Sequence, residues 1–287
     1  MTVAVLSGKG GTGKTFVSVN LAAVAKDAVY LDCDVEEPNG RLFLKPEQVT
    51  SSPVTVPLPA FDGEKCTGCR KCVEFCRFNA LVFVKNRPMV FPEVCHSCGG
   101  CALVCPVHAV TETPRLVGTV EEGLSGGVRV VTGILNPGEV SAVPVIKNVL
   151  QKVAQDSGLA IVDCPPGSGC SVMESVSRAD YCLLVAEPTA FGLHNFKMVH
   201  RLVRLLHKPC GVVINKASGE YSPLEQFCAE TNTPVLLRIP YSTELAARTA
   251  AGEVAVRRDA AIAGTFRGLL NEIRKEACDE KTADSER

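Results

Sequence analysis

A glycine-rich octapeptide near the N-terminus constrains the fold of this chain more than any other feature. It matches the pattern GxxxxGK followed by Ser or Thr, and its residues are Gly8, Lys9, Gly10, Gly11, Thr12, Gly13, Lys14 and Thr15. An apolar run at residues 3–6 precedes it as a predicted strand, and residues 17–25 follow it as a predicted helix. A strand, a glycine-rich turn and a helix in this order predict a phosphate-binding loop.

The residue types of this loop suit a phosphate chain. Glycines let the backbone N–H groups point inward around the phosphates, and the N-terminus of the next helix adds its positive end. Lys14 is expected to reach the outer phosphates, and the Thr15 hydroxyl to bind Mg²⁺. A glycine-rich turn without a ligand is the alternative, but it leaves the strand and helix context unexplained.

Apolar runs and helical stretches alternate along most of the remaining chain. Runs bounded by Gly, Pro or Asp predict buried parallel strands at residues 3–6, 28–31, 159–162, 181–186, 211–214 and 235–239. Helices are predicted at residues 17–25, 143–154, 196–206, 224–230 and 262–276. The alternation predicts an α/β fold with a doubly wound, mostly parallel sheet and helices on both faces.

Residues 57–114 interrupt this alternation. Eight of the fifteen cysteines fall there, and the apolar segments become shorter. We therefore predict a discontinuous nucleotide-binding domain at residues 1–58 and 114–287, with an inserted domain at residues 59–113. Residues 45–59, with four prolines and several Ser and Thr, are expected to connect the two.

The cysteines of the insert repeat one spacing. The pattern C-x₂-C-x₂-C-x₃-C occurs at Cys66, Cys69, Cys72 and Cys76, and again at Cys95, Cys98, Cys101 and Cys105. In this pattern three thiolates bind three irons of one [4Fe-4S] cluster, and the fourth binds the other cluster. The predicted ligands of the first cluster are therefore Cys66, Cys69, Cys72 and Cys105. Those of the second are Cys76, Cys95, Cys98 and Cys101. Zinc is the weaker interpretation, because four-Cys zinc sites use two CxxC pairs with a long gap.

The insert resembles a bacterial two-cluster ferredoxin, an α+β module. The repeat continues beyond the cysteines, since residues 76–81 echo residues 105–110. Arg77 stands where the pattern usually has Pro, as at Pro106. We expect this difference to change loop rigidity or cluster potential slightly and to leave the site intact. The resemblance implies an electron-transfer module.

The additional lysine of the loop, Lys9, produces the sequence KGGTGKT. This resembles the deviant Walker A box of the MinD/Mrp/nitrogenase iron protein class of P-loop ATPases, and the resemblance covers nearly all of the chain outside the insert. It implies that ATP is bound and hydrolysed at a homodimer interface, where Lys9 reaches the partner's nucleotide. Lys9 and Lys14 are then catalytic residues.

Further residues match this class in chain order. Residues 31–34 (LDCD) resemble switch I, which implies that Asp34 orients the attacking water and that Asp32 lies near Mg²⁺. A helix cap is the alternative role for Asp32. Asp163, followed by CPPG, resembles Walker B merging into switch II and is expected to hold a water ligand of Mg²⁺. Asn215 resembles the end of the base-recognition strand and is expected to bind adenine, with a turn role as the alternative.

Composition narrows the cellular setting. Thirty Lys and Arg against 31 Asp and Glu leave a net charge of −1, so no overall field favours nucleic acid or an anionic membrane. The N-terminus lacks the pattern of a secretory signal, and no apolar run reaches membrane-spanning length. A cytoplasmic protein is therefore expected. Disulfides are rare in that compartment, so the high cysteine content favours metal binding.

Three functions are compatible with these two modules. In the first, ATP-driven conformational change of the dimer is coupled to electron transfer through the clusters to a redox protein or metalloprotein. In the second, the ATPase delivers a metallocluster; Mrp-type carriers bind such cargo at a CxxC, whereas residues 216–234 contain only Cys228. In the third, the chain is a MinD-like positioning ATPase or a redox sensor, although its polar C-terminal tail is not typical of a membrane anchor.

Cys170 lies outside the eight-cysteine pattern. It follows Asp163 by seven residues, the spacing at which the nitrogenase iron protein has a cluster-bridging cysteine. No matched second ligand is evident in the sequence. Packing in the core or at an interface is therefore favoured for Cys170 over a role as a ligand.

Overall fold

The computed structural model describes residues 1–25, 27–153, 158–217 and 222–285. Within these ranges the strands are β1 (Thr2–Leu6), β2 (Ala28–Asp32), β3 (Glu47–Phe61), β4 (Leu81–Val84), β5 (Arg87–Val90), β6 (Val110–Ser125), β7 (Val128–Leu135), β8 (Leu159–Asp163), β9 (Tyr181–Ala186), β10 (Cys210–Ala217) and β11 (Val235–Pro240). Nine of these form one sheet in the order β11-β10-β9-β1-β8-β2-β7-β6-β3, and β4 pairs separately with β5. Neighbours from β11 to β7 are parallel, whereas β6 pairs antiparallel with both β7 and β3.

Helices cover both faces of this sheet. They are α1 (Lys14–Val24), α2 (Gly40–Leu44), α3 (Lys71–Phe75), α4 (Gly100–Leu103), α5 (Val143–Gln151), α6 (Cys170–Val176), α7 (Ala190–Leu205), α8 (Ser222–Glu230), α9 (Thr243–Ala250) and α10 (Ala260–Ser285), with a short 3₁₀ helix at Ala255–Arg257. Helices α1 and α10 contribute to the apolar cluster on one face, and α5 to α8 to the cluster on the other. Across the described part of the chain, no helix has both the length and the apolar content to cross a bilayer.

Strand β1 illustrates why the parallel strands are continuous apolar runs. The side chains of Val3 and Val5 belong to one apolar cluster, and those of Ala4 and Leu6 to the other. All four residues are fully buried, because a parallel sheet is covered on both faces. The predicted α/β fold with a mostly parallel sheet is confirmed, and all six predicted strands are present. The predicted helices are present as well, except that residue 154 lies outside the described residues.

The antiparallel edge of the sheet was not predicted. Residues 45–59, expected only as a connecting segment, lie mostly in β3, which pairs with β6 from Glu47 opposite Leu124 to Phe61 opposite Val110. Strand β3 contains prolines. They are tolerated because β3 lies at the sheet edge, where one row of N–H groups needs no partner. The inserted segment is therefore carried on a long two-stranded ribbon, and the predicted boundary at residues 58–59 falls within β3.

The inserted segment has two similar halves. They are related by a shift of 29 positions, the separation of Cys66 and Cys95. Helices α3 and α4 occupy equivalent places in the two halves, and the β4–β5 hairpin joins them. Asn79 and His108 are also equivalent, and both have positive φ angles, of 52° and 50°. The repeated cysteine spacing thus corresponds to a repeated backbone conformation.

Candidate functional site

The glycine-rich loop lies at the carboxyl edge of the parallel strands. It joins β1 to α1, while Asp32 ends β2 and Asp163 ends β8. Asp163 is in register with Val5 of β1 on one side and with Asp32 of β2 on the other. Open α/β sheets bind their ligands at this edge. The strand order therefore brings together acidic residues that are far apart in the sequence.

A cavity of about 1090 Å³ opens beside the loop. Its walls include predicted site residues from three parts of the chain, namely Gly10, Gly11, Gly13, Lys14, Thr15, Asp34 and Asn215. Side chains from outside the predicted set complete it, with Leu42 and Phe43 of α2 on one side and Leu245 of α9 on another. Pockets for small molecules and cofactors measure about 300–1,000 Å³, so this cavity is large enough for a nucleotide.

Gly13 shows why the loop needs glycine. Its φ angle is +91°, in the region that side chains rarely adopt. A Cβ atom at this position would also overlap the side-chain amide of Asn215. Asn215 is buried, and its Nδ2 donates a hydrogen bond of 2.7 Å to the carbonyl oxygen of Thr12. The end of β10 therefore holds the loop directly, a contact that sequence alone did not indicate.

Lys14 lies among carboxylates at the base of the cavity. Its Nζ donates to Asp163 Oδ1 at 2.6 Å and to Asp34 Oδ2 at 3.3 Å. Burial alone would lower the pKa of Lys14, but the carboxylates of Asp163 and Asp34 outweigh it and raise the pKa above its ordinary value. Burial raises the pKa of Asp34. Lys14 is therefore a permanent cation that a phosphate group can draw away from the acids.

Asp32 is fully buried behind this group. Its Oδ2 accepts from the N–H of Gly40 at 2.9 Å, and its Oδ1 accepts from the N–H of Asp34 at 3.3 Å. Gly40 begins α2, so the carboxylate of Asp32 satisfies an N-terminal donor of that helix. Burial raises the pKa of Asp32, and the nearby Asp163 adds to this effect. Asp32 thus fixes the shape of the segment that carries Asp34.

Tyr30 of β2 contacts the same acids and was missed by sequence reasoning. Its side chain is fully buried, and its hydroxyl donates a 2.8 Å hydrogen bond to Asp163 Oδ2. Asp163 therefore accepts from Lys14 on one oxygen and from Tyr30 on the other. In the sequence Tyr30 is one apolar-type residue in a strand, so nothing there distinguishes it from core packing.

Lys9 and Lys216 both form ion pairs with Glu187, another residue that the sequence did not single out. Lys9 Nζ lies 2.5 Å from Glu187 Oε2, and Lys216 Nζ lies 2.5 Å from Glu187 Oε1. Lys216 also donates to the carbonyl oxygen of Gly11 at 2.7 Å. Glu187 follows β9 in the AEPT segment, so its position at a strand end was the available signal. Glu187 therefore forms ion pairs with Lys9 of the phosphate loop and with Lys216, which itself contacts the loop at Gly11.

The eight predicted cluster ligands line two small cavities in the inserted segment. One cavity is lined by the cysteines Cys66, Cys69, Cys72 and Cys105. The other is lined by Cys76, Cys95, Cys98 and Cys101, and Cys72 lines it as well. All eight are free thiols in the structure. Within the described residues, no three His, Cys, Asp or Glu side chains are grouped closely enough to hold a single metal ion.

Backbone N–H groups point toward the sulfur atoms of two of these cysteines. The N–H of Ala109 lies 3.2 Å from Cys105 Sγ, and that of Ser97 lies 3.5 Å from Cys95 Sγ. Such contacts stabilise thiolates and tune the potentials of iron–sulfur clusters. The local backbone is therefore arranged to accept negative charge on sulfur.

The other cysteines fall into two groups. Cysteines of the main sheet and its helices are buried, namely Cys33, Cys164, Cys182, Cys210 and Cys228. Cys170 and Cys278 are exposed. Cys170 begins the short helix α6. It therefore does not fill the core of this chain, which was one of the two favoured roles.

A parallel sheet with a glycine-rich loop, a buried lysine and carboxylates at strand ends defines a P-loop nucleotide-binding protein. Residues 3–256 match the family described as the CobQ/CobB/MinD/ParA nucleotide binding domain. The chain belongs to this family.

Three individual proteins are similar to this chain or to part of it. An uncharacterised protein of Methanocaldococcus jannaschii is 32% identical over 199 residues, which are 68% of this chain and 70% of that protein. The septum site-determining protein MinD from Pyrococcus horikoshii, solved in complex with Mg-ADP, has a TM-score of 0.60 and 18% identity over 96% of this chain and 98% of its own. This likeness shows the fold. An uncharacterised ferredoxin of M. jannaschii is 36% identical over 53 residues, which are 17% of this chain and 69% of that protein.

Proposed function

We propose that this chain hydrolyses Mg–ATP as a homodimer and couples the accompanying conformational change to electron transfer through two [4Fe-4S] clusters held in residues 59–113. The observation that carries the proposal is the grouping of the cysteines. Each crossed set of four that the spacing predicts lines one cavity, with Cys72 lining both, in a chain that also has a P-loop site.

The nucleotide half of the proposal assigns a task to each residue of the P-loop site. The backbone N–H groups of residues 8–15 bind the phosphates, and Lys14 exchanges its carboxylate partners for the outer phosphates. Thr15 and Asp163 hold the magnesium of the substrate, with Asp32 behind them, and Asp34 orients the attacking water. The Mg-ADP bound to the similarly folded MinD supports a nucleotide of this kind here.

The fit of the inserted segment to two clusters rests on its donor set. A [4Fe-4S] cluster supplies one-electron transfer when bound, and each one needs four thiolates. Cys105 lies in the sequence half opposite to Cys66, Cys69 and Cys72, yet it lines the same cavity. A single-ion zinc site is less well supported, because four-Cys zinc sites use two CxxC pairs with a long gap, whereas here a third cysteine follows each pair after two residues. The partial match to a ferredoxin supports the same interpretation.

A continuous set of contacts links the two halves of the proposal. Val35, next to Asp34, accepts a 2.9 Å hydrogen bond from the N–H of Leu135 at the end of β7. The adjacent Asn136 donates its N–H to Val117 of β6 at 2.9 Å, where the ribbon leaves the main domain. A movement of the Asp34 segment on nucleotide binding can thus reach the ribbon that carries the clusters.

An ion pair reinforces this junction. Arg115 of β6 donates to both carboxylate oxygens of Glu139, at 2.6 and 2.8 Å. Such a two-point contact fixes orientation as well as distance. It ties the base of the ribbon to the segment between β7 and α5, so the ribbon and the nucleotide domain are expected to move together.

Anaerobic purification tests both halves in one preparation. We expect about eight irons and eight sulfides per chain, together with Mg-dependent ATP hydrolysis. Lys14→Ala is expected to abolish hydrolysis and to retain the iron, because the two sites share no ligand. Iron-free protein contradicts the cluster assignment, and hydrolysis by Lys14→Ala contradicts the loop assignment.

Cluster delivery is the second candidate function, favoured by the exposed Cys170, which follows Asp163 by seven residues. In that case an additional cluster should load reversibly, be released with ATP, and be lost in Cys170→Ser. Electron transfer predicts instead that the iron content is the same with and without ATP and unaffected by Cys170→Ser.

A further inference from the structure

The hydroxyl of Tyr30 occupies an unusual place beneath the nucleotide site. It is fully buried in β2, where most neighbours are apolar, yet it lies 2.8 Å from Asp163 Oδ2. The N-terminal residue of α2, Gly40, packs so closely on the Tyr30 ring that a Cβ atom there would overlap it. A buried polar group with this degree of enclosure must have its hydrogen bond, because leaving it unmade costs about 1–3 kcal/mol.

The direction of this hydrogen bond follows from the two groups. A phenol has one O–H to donate, whereas an ionised carboxylate can only accept. Tyr30 is therefore the donor and the carboxylate of Asp163 the acceptor.

Nucleotide binding is expected to break one of the two contacts of Asp163 and to keep the other. Lys14 must leave Asp163 Oδ1 to reach the phosphates, whereas the Tyr30 ring is enclosed against Gly40 and its hydroxyl is also hydrogen-bonded with Ser18. The hydroxyl then remains on Oδ2 and holds the carboxylate plane, while Oδ1 is available to the water shell of the magnesium. Partners of this kind, which orient a metal-binding group, typically change metal affinity by about 10–100-fold when removed.

We infer that Tyr30 is a positioning residue for the magnesium of the nucleotide complex, acting through Asp163. This inference rests on the proposed function, since it needs a Mg–nucleotide at the loop. It assigns to a residue of the core a role in metal affinity that its place in the sequence does not suggest.

Tyr30→Phe tests the inference, because it removes only the hydroxyl. The matched control is Tyr181→Phe, which removes an equally buried hydroxyl from β9 in the same apolar cluster, where it lies against Gly211. Binding of a fluorescent ADP analogue is titrated with Mg²⁺ for the wild type and both variants, and hydrolysis is measured over the same Mg²⁺ range.

We expect Tyr30→Phe to bind the analogue without Mg²⁺ as the wild type does and to need about tenfold more Mg²⁺ for the half-maximal response. Tyr181→Phe is expected to match the wild type. Equal Mg²⁺ midpoints for the two variants overturn the inference and leave the proposed function standing. A wild type that shows no Mg²⁺-dependent nucleotide binding overturns the proposed function itself.

A second measurement covers the case in which Tyr30→Phe does not fold. Wild-type protein is labelled with ¹³Cζ-tyrosine, and the Tyr30 signal is identified by elimination with the single Phe variants of the other three tyrosines, Tyr181, Tyr221 and Tyr241. The signal is expected to shift when Mg²⁺ is added to the ADP complex. An unchanged Tyr30 signal contradicts the inference.

Discussion

Lys9 and Glu187 form an ion pair within one chain, with Nζ 2.5 Å from Oε2. The ammonium group of Lys9 also lies 5.3 Å from the ring centroid of Phe191, which is largely exposed. In the proposed dimer Lys9 must instead reach the nucleotide of the partner, and one ammonium group cannot occupy both places. Glu187 therefore competes with the partner's nucleotide for Lys9.

Lys9→Ala should separate nucleotide binding from dimer formation. The variant is expected to bind ATP, because Lys14 and the loop are intact, and to remain monomeric with ATP. Its hydrolysis should fall at least about a hundredfold, as is typical when a cation that stabilises the transition state is lost. Analytical ultracentrifugation with and without ATP measures the effect. Lys197→Ala is the control, since Lys197 also lies over an aromatic ring, that of Phe227. ATP-dependent dimers of Lys9→Ala would contradict the role of Lys9 in dimer formation.

Glu187→Gln should have the opposite effect on assembly. Burial alone would raise the pKa of Glu187, but hydrogen bonds from Lys216 and Lys9 outweigh it and lower the pKa below its ordinary value. The carboxylate therefore stays charged near neutral pH, and its contribution to stability is present above the ordinary pKa of a glutamate and lost as the pH falls through the lowered pKa. Removing the charge frees Lys9 and is expected to lower the ATP concentration for half-maximal dimerisation about fivefold, equivalent to about 1 kcal/mol for one ion pair. A higher ATP requirement would show that Glu187 supports the dimer.

Asn215 is expected to serve the loop and the base at the same time. Its Nδ2 is engaged by the carbonyl oxygen of Thr12, while an amide also carries an oxygen that can accept from the adenine amino group. Asn215→Ala should therefore weaken ATP binding by about tenfold or more and reduce the preference for ATP over GTP. Competition binding with both nucleotides distinguishes the two roles. Equal weakening of ATP and GTP would leave Asn215 only the role of holding the loop.

The crossed ligand sets predict which cysteine variants resemble each other. Cys105→Ser and Cys66→Ser should lose the same electron paramagnetic resonance signal, and Cys76→Ser and Cys95→Ser should lose the other. Each variant should lose up to about four of eight irons. Cys278→Ser, at an exposed cysteine outside the insert, is the control. The assignment is wrong if Cys105→Ser instead groups with Cys95→Ser.

The sequence predicts the parts of this protein whose signals are local. A strand that is buried on both faces must be a continuous apolar run. Asp163 ends such a run, so both strand β8 and the position of the acid at its end could be predicted. Strand β7 was not predicted, because no feature of residues 128–135 in the sequence indicates that they pair with β2. Strand β3 was missed because prolines usually indicate a loop, whereas a sheet edge tolerates them.

Contacts between distant residues could not be predicted in the same way. The hydrogen bond from Tyr30 to Asp163 joins residues 133 positions apart. It depends on the adjacency of β2 and β8, which only the strand order fixes. Likewise, Glu187 becomes an anchor for Lys9 only because β9 lies next to β1. Residue type alone does not distinguish Tyr30 or Glu187 from ordinary packing and surface residues.

In the proposed function, nucleotide state controls electron transfer within one chain, and a stopped-flow experiment measures this control. Protein with reduced clusters is mixed with a one-electron viologen acceptor in the presence or absence of Mg–ATP. Mg–ATP is expected to change the transfer rate by at least about fivefold, the lower end of typical coupling between sites, and Lys14→Ala is expected to show no change. Equal rates with and without Mg–ATP, in protein that contains its iron and hydrolyses ATP, would contradict the coupling.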